Sequence, residues 1–160
     1  AAGRYRALLE AAAQFGVVPQ LELWGFPQNL HRLGQVAFVA IESGHPQACV
    51  LPDVYPIYKG GSDFAGLRLF NSLAMHAFHV NDYPADPPRA TINDSHRVFC
   101  GDGVAPLSEI LQTIHASGFR VALSLELFNQ DYYRRDPLAV AREGLEKTKA
   151  AVAKAGFVPG

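Results

Sequence analysis

Segments with helical spacing alternate with short, nearly continuous apolar runs along the whole chain. Residues 3–15 are rich in Ala and Leu and predict a helix, with Gly16 as its stop. Residues 17–24 predict a strand with Pro19 near its start. The same pattern predicts a helix over 29–43 ended by Gly44, a strand over 47–52 stopping at Asp53, and a helix over 63–73. A strand over 75–80 follows, then a long polar connection over 83–104. A helix over 106–117 ended by Gly118, a strand over 121–127 and a helix over 136–155 complete the chain.

Helices between successive strands imply parallel pairing through helical crossovers. The strands lack a polar face, as expected when both sides of a sheet are covered. Two α/β architectures fit: an open doubly wound sheet, or part of a (β/α)8 TIM barrel. A complete barrel needs roughly 250 residues. The 160 residues here amount to about half of one, read as a single domain over 1–160. The only methionine is Met75, so the expectation is a fragment or a processed product of a longer enzyme.

Composition narrows the partners. Hydrophobic residues make up 49% and charged residues 18%, which is globular rather than disordered. A net charge of -1 gives no broad attraction to nucleic acid or to a membrane surface. No apolar run reaches the roughly 18 residues of a membrane span, and residues 1–6 lack the layout of a signal peptide. Cys49 and Cys100 are read as free thiols in a reducing cytoplasm. The Asn93-Asp94-Ser95 sequon carries little weight without a secretory signal.

The chemistry lies in where the polar residues interrupt the apolar runs. Each strand ends on a group able to bind metal: Glu22, Asp53, His79 and Glu126. In parallel α/β folds this C-terminal edge is where sites are built. One strand-end carboxylate is ordinary, but four coincident ligands are not. Glu22 lies between Leu21 and Leu23, and Glu126 between Leu125 and Leu127, where an unpaired carboxylate is costly to bury. Three carboxylates and one imidazole suit Mn²⁺ or Mg²⁺, with Co²⁺ and Zn²⁺ as alternatives.

These residues stand within longer motifs. Leu21-Glu22-Leu23-Trp24, the stretch from Asp53 to Ser62, His79-Val80-Asn81-Asp82, the stretch from Arg97 to Gly103, and Ser124-Leu125-Glu126 occur in that order. The ordered set resembles the sugar phosphate isomerase/epimerase family, the xylose isomerase-like TIM barrels that include tagatose epimerase-like enzymes. The resemblance covers nearly the whole chain and implies barrel strands five to eight. It implies one ion on Glu22, Asp53, His79 and Glu126, chelating a sugar carbonyl and its neighbouring hydroxyl. Glu22 and Glu126 would move the proton through an enediolate, for epimerisation or isomerisation.

Further residues divide between site and scaffold. Arg97 is the candidate to hold a substrate hydroxyl or phosphate, with His96 beside it. Trp24 is read as a sugar-stacking platform or as core. Asp82 either supports the metal site or forms a turn before Tyr83-Pro84. Lys59-Gly60-Gly61-Ser62 is either an anion-binding helix start or a plain turn with a Ser cap. His31, His45, His76 and His115 need no special role, and Gly101-Asp102-Gly103 is a flexible turn. Two departures stand out: Pro56 where the family commonly has His, and Cys100 where it often has Pro. A lyase of the inosose dehydratase type and a non-catalytic remnant remain as alternatives. An apurinic endonuclease-like activity needs more strand-end histidines and a basic groove. The expected partner is a small sugar, with homo-oligomerisation left open.

Overall fold

The computed structural model describes residues 1–159. Its elements are α1 (Ala2–Ala13), β1 (Leu21–Glu22), α2 (Leu33–Glu42), β2 (Val50–Leu51) and α3 (Val54–Gly60). After a 3-10 turn over Phe64–Leu69 come β3 (Ala77–Val80) and a second 3-10 turn over Asp94–His96. Then follow α4 (Leu107–Ala116), β4 (Ala122–Leu125), α5 (Gln130–Tyr133) and α6 (Pro137–Lys154).

The strands stand in chain order and run parallel. In β1–β2, Leu21 pairs with Val50 and Glu22 with Leu51. In β3–β4, register runs from Ala77 with Ala122 to Val80 with Leu125. The two ladders meet at a single bridge, Asp53 with His79, where the His79 amide donates to the Pro52 carbonyl at 3.0 Å. The other sides of β1 and β4 have no strand neighbour among the described residues. β4 shows the consequence, alternating exposed and half-buried residues, whereas β3 alternates half-buried and buried ones.

The main core lies between this wall and the helices and gathers Leu23, Val36, Tyr55, Phe78 and Ile110. A smaller cluster of Tyr5, Leu9 and Val39 seats α1 on α2. Burial of such side chains contributes about 1.5–3 kcal/mol each. The glycine stops at 44 and 118 hold φ of 60° and 76°, which a Cβ would strain.

Several elements differ from expectation. Residues 17–20 are not strand: Pro19 has no N–H to donate, and its carbonyl is taken by the Tyr5 hydroxyl at 3.0 Å. The helix expected over 29–43 begins only at Leu33, because Leu30 has a φ of 59°, which no right-handed helix admits. The helix expected over 63–73 is a six-residue 3-10 turn. Two helices were not anticipated, α3 and the single turn α5. α3 starts on Asp53, whose side chain accepts the Tyr55 N–H at 2.8 Å. Pro56 falls within its first turn, where its missing N–H costs nothing.

Candidate metal centre

All four strand-end ligands arrive at one place. Glu22 ends β1, Asp53 caps α3 just beyond β2, His79 is the third residue of β3, and Glu126 follows β4. His79 Nδ1 lies 3.4 Å from Glu126 Oε2, 3.6 Å from Glu22 Oε1 and 3.7 Å from Asp53 Oδ2. Ligand atoms of Glu22, His79 and Glu126 all lie within 4.8 Å of one another. His79 Nδ1 is buried yet has no hydrogen-bond partner. Its three neighbours are ionic contacts, too long for hydrogen bonds. Atoms on a tetrahedral ion with bonds of about 2.1 Å stand about 3.4 Å apart. The orphaned nitrogen and the Glu22 and Glu126 oxygens therefore have a spacing that could hold a divalent ion, while Asp53 Oδ2, 3.7 Å from the nitrogen, stands outside that group of three and accepts from Arg97.

The ligands differ in how firmly they are held. Asp53 is fully buried. Its Oδ1 accepts from the Tyr55 amide at 2.8 Å and from Asn81 Nδ2 at 2.9 Å, and its Oδ2 from Arg97 at 2.8 Å. Glu22 is half exposed, at 50% of its side chain. The Asp53 and Glu126 carboxylates push His79 up to about 10, against the opposing effect of burial. Contact with His79, aided by Arg97, pulls Glu126 down to about 2. Partial burial, then the charge of Glu126, raises Glu22 above the usual carboxylate range. The two glutamates are thus pushed in opposite directions, as in acid–base pairs.

Arg97 has different partners from those expected of it. It is 2% exposed. Nη1 donates to Asp53 Oδ2 at 2.8 Å and Glu126 Oε2 at 2.9 Å, while Nε donates to Asp94 Oδ1 at 2.9 Å. The rings of Tyr55 and Phe128 lie 4.8 and 5.0 Å from its guanidinium carbon. Three carboxylates converge on this buried cation, so nearly all of its donors are engaged within the chain instead of facing open space. The Tyr55 hydroxyl beside it is buried without a partner.

Asp82 is no metal ligand in this geometry. It accepts from the amides of Tyr83 and Ala105 at 2.8 Å and Gly101 at 3.0 Å. Its backbone also pairs with Val98 in both directions at 2.9 Å, which places the neighbouring Arg97. Gly103 packs so tightly here that a Cβ would meet Asp82 Oδ1 at 2.3 Å. His96 is tied to Asn93 through Nδ1 at 2.9 Å and is not part of the cluster. Trp24 lies two residues beyond Glu22, 55% exposed, with its ring 5.8 Å from Phe26. The segment 59–62 is not an anion-binding helix start. Lys59 and Gly60 end α3, Lys59 Nζ donates to the Arg89 carbonyl at 2.9 Å, and Ser62 Oγ accepts from the Leu33 amide at 2.9 Å.

Sequence reasoning missed Asn81 and Asp94. Asn81 stands two residues after His79, so period two along a strand already placed it on the ligand face. Asp94 precedes Arg97 by one helical turn, a spacing that pairs side chains. A cavity of about 870 Å³ lies in a groove between α2 and the first 3-10 turn, lined by residues such as Leu33, Ile41 and Phe70 and by none of the four candidate ligands.

Comparison with known proteins matches this architecture. Residues 1–151 match the model of the xylose isomerase-like TIM barrel family. The chain belongs to that family. An inosose isomerase of Halalkalibacterium halodurans is 26% identical over 148 residues, which is 92% of this chain and 52% of that protein. The crystal structure of an IolI protein with a bound zinc atom superposes with a TM-score of 0.87 at 24% identity, covering 94% of this chain and 54% of that one. An L-ribulose 3-epimerase structure gives 0.76 at 18% identity, covering 96% and 53%. The chain thus spans about half the length of the relatives it matches. Both cysteines are free and buried, and no helix among the described residues is long and apolar enough to cross a membrane.

Proposed function

We propose that Glu22, Asp53, His79 and Glu126 hold one divalent ion, and that the chain forms strands five to eight of a barrel that isomerises or epimerises a sugar or cyclic polyol ketone. The supporting observation is the unpartnered His79 Nδ1 facing three carboxylate oxygens at 3.4–3.7 Å. The relatives named inosose isomerase favour a polyhydroxylated ketone as substrate. Zn²⁺ gains support from the zinc in the similar IolI structure, with Mn²⁺, Mg²⁺ and Co²⁺ compatible with the same donors.

When bound, the ion supplies positive charge for the oxygen of a substrate carbonyl as the neighbouring proton leaves. The chain's own residues handle the proton. Glu22, its pKa raised by partial burial and half exposed, is placed to exchange it. Glu126 stays ionised beside Arg97 and His79 and serves as the opposing base. Arg97 acts by holding Asp53 and Glu126 in place, and Trp24 offers an exposed ring for a sugar face beside Glu22. The remaining barrel strands would complete the wall along β1 and β4. Two free thiols fit a reducing cytoplasm.

Calorimetric titration with Zn²⁺ and Mn²⁺, followed by ketose and inosose isomerisation assays, tests the reading. One ion bound per chain, lost in Glu126→Gln together with turnover, is the expected result. Full activity in Glu126→Gln would refute the two-glutamate mechanism.

A further inference from the structure

Asn81 is a fully buried polar side chain with every polar group engaged. Its amide nitrogen donates to Asp53 Oδ1 at 2.9 Å and to the Glu126 carbonyl at 3.2 Å. Its oxygen accepts from the Tyr55 amide at 3.0 Å. The orientation is fixed by chemistry: a flipped amide would face its oxygen to a carboxylate and a carbonyl, and its nitrogen to an N–H. One side chain at the end of β3 therefore grips the ligand beyond β2 and the backbone of the ligand beyond β4.

The position matters because the wall is thinnest there. The β1–β2 and β3–β4 ladders share one bridge, Asp53–His79, with a Val50 amide bond to the Ala74 carbonyl at 2.8 Å at the other end of the seam. Asn81 adds a side-chain tie across that seam. It also decides what Asp53 presents. Oδ1 takes two donors, from Asn81 and the Tyr55 amide, which leaves Oδ2 to accept from Arg97 Nη1 at 2.8 Å and to face His79 Nδ1 at 3.7 Å. Without Asn81, the carboxylate keeps the Tyr55 amide and Arg97 but loses one of the two donors on Oδ1 and its link to the Glu126 backbone.

We propose that Asn81 is a positioning residue of the metal centre, which selects Oδ2 as the one oxygen Asp53 offers to the ion and couples that carboxylate to the strand end carrying Glu126. The inference rests on the metal reading above. It assigns Asn81 no contact with substrate.

The test is Co²⁺ binding to the purified full chain, followed by calorimetry and by visible absorption, which reports ligand geometry. Asn81→Leu keeps the volume and removes the amide. It should weaken Co²⁺ binding roughly 10–100-fold and alter the visible bands. Asn81→Asp, which faces a second carboxylate to Asp53 Oδ1, should do at least as much. Wild-type affinity and bands in a folded Asn81→Leu would overturn the proposal. Should that variant fail to fold, the wild-type Asn81 side-chain amide is followed by ¹⁵N NMR. Protons protected from exchange that shift on Zn²⁺ addition support the role, and exposed, unmoved protons overturn it. A wild-type chain that binds no Co²⁺ removes the metal reading itself, and this inference with it.

Discussion

The middle of the wall and its two edges treat the same chemistry differently. At the centre, Asp53 is fully buried and accepts three hydrogen bonds, while His79 is 16% exposed in its side chain. At the edges, Glu22 is 50% exposed and Glu126 31%. Central strands have neighbours on both sides that supply donors and exclude water. Edge strands have one neighbour, so their carboxylates keep freedom and solvent. In the barrel proposed above further strands would flank β1 and β4, so this division belongs to the present chain by itself.

The largest expected effect breaks the centre. Asp53→Ala leaves the buried Arg97 short of a counter-charge and should cost about 3 kcal/mol or more, since breaking buried ion pairs is strongly destabilising. Glu22→Ala should fall within about 0.5 kcal/mol. Urea denaturation of both variants measures the gap, and equal losses would erase the distinction between centre and edge. Next, Zn²⁺ at one hundred times its dissociation constant should stabilise the folded chain by about 2.7 kcal/mol. Thermal melts should show the gain in the wild type and not in Asp53→Ala.

A pH series sharpens the role of His79. Its pKa rises from 6.5 to about 10 beside the Asp53 and Glu126 carboxylates. A raised value means that the folded state binds the proton more tightly, so the stabilisation is fully present below about 6.5 and disappears as pH climbs through 10. The melting-temperature gap between wild type and His79→Gln should therefore be widest at about pH 6 and narrow steadily toward pH 10. The smallest effect concerns Tyr55. Its buried hydroxyl has no partner, so Tyr55→Phe should be neutral or stabilising by up to about 1 kcal/mol in denaturant melts.

The parallel order of elements and the convergence of Glu22, Asp53, His79 and Glu126 were legible because both follow from local pattern: apolar runs mark the strands, and their polar last residues share one edge. The ends of the strands were less so. Residues 17–20 have strand composition, yet Tyr5, distant in sequence, claims the Pro19 carbonyl. Helix α3 was hidden by Pro56, which reads as a breaker until Asp53 is seen as the cap. Arg97 was identified as a site residue, but its partners depend on Asp94 and on the Asp82–Val98 bridge, a contact across a long connection that periodicity does not encode. Whether a guanidinium faces outward or among carboxylates is a tertiary fact.

Trp24 gives the molecule a built-in optical gauge. It is the only tryptophan, half open to solvent and two residues from Glu22. Its emission isolates one edge of the site without any label. A coloured ion such as Co²⁺ bound nearby should quench it, whereas colourless Zn²⁺ should leave most of it intact. Occupancy of the proposed centre should thus be readable from the emission of Trp24 alone.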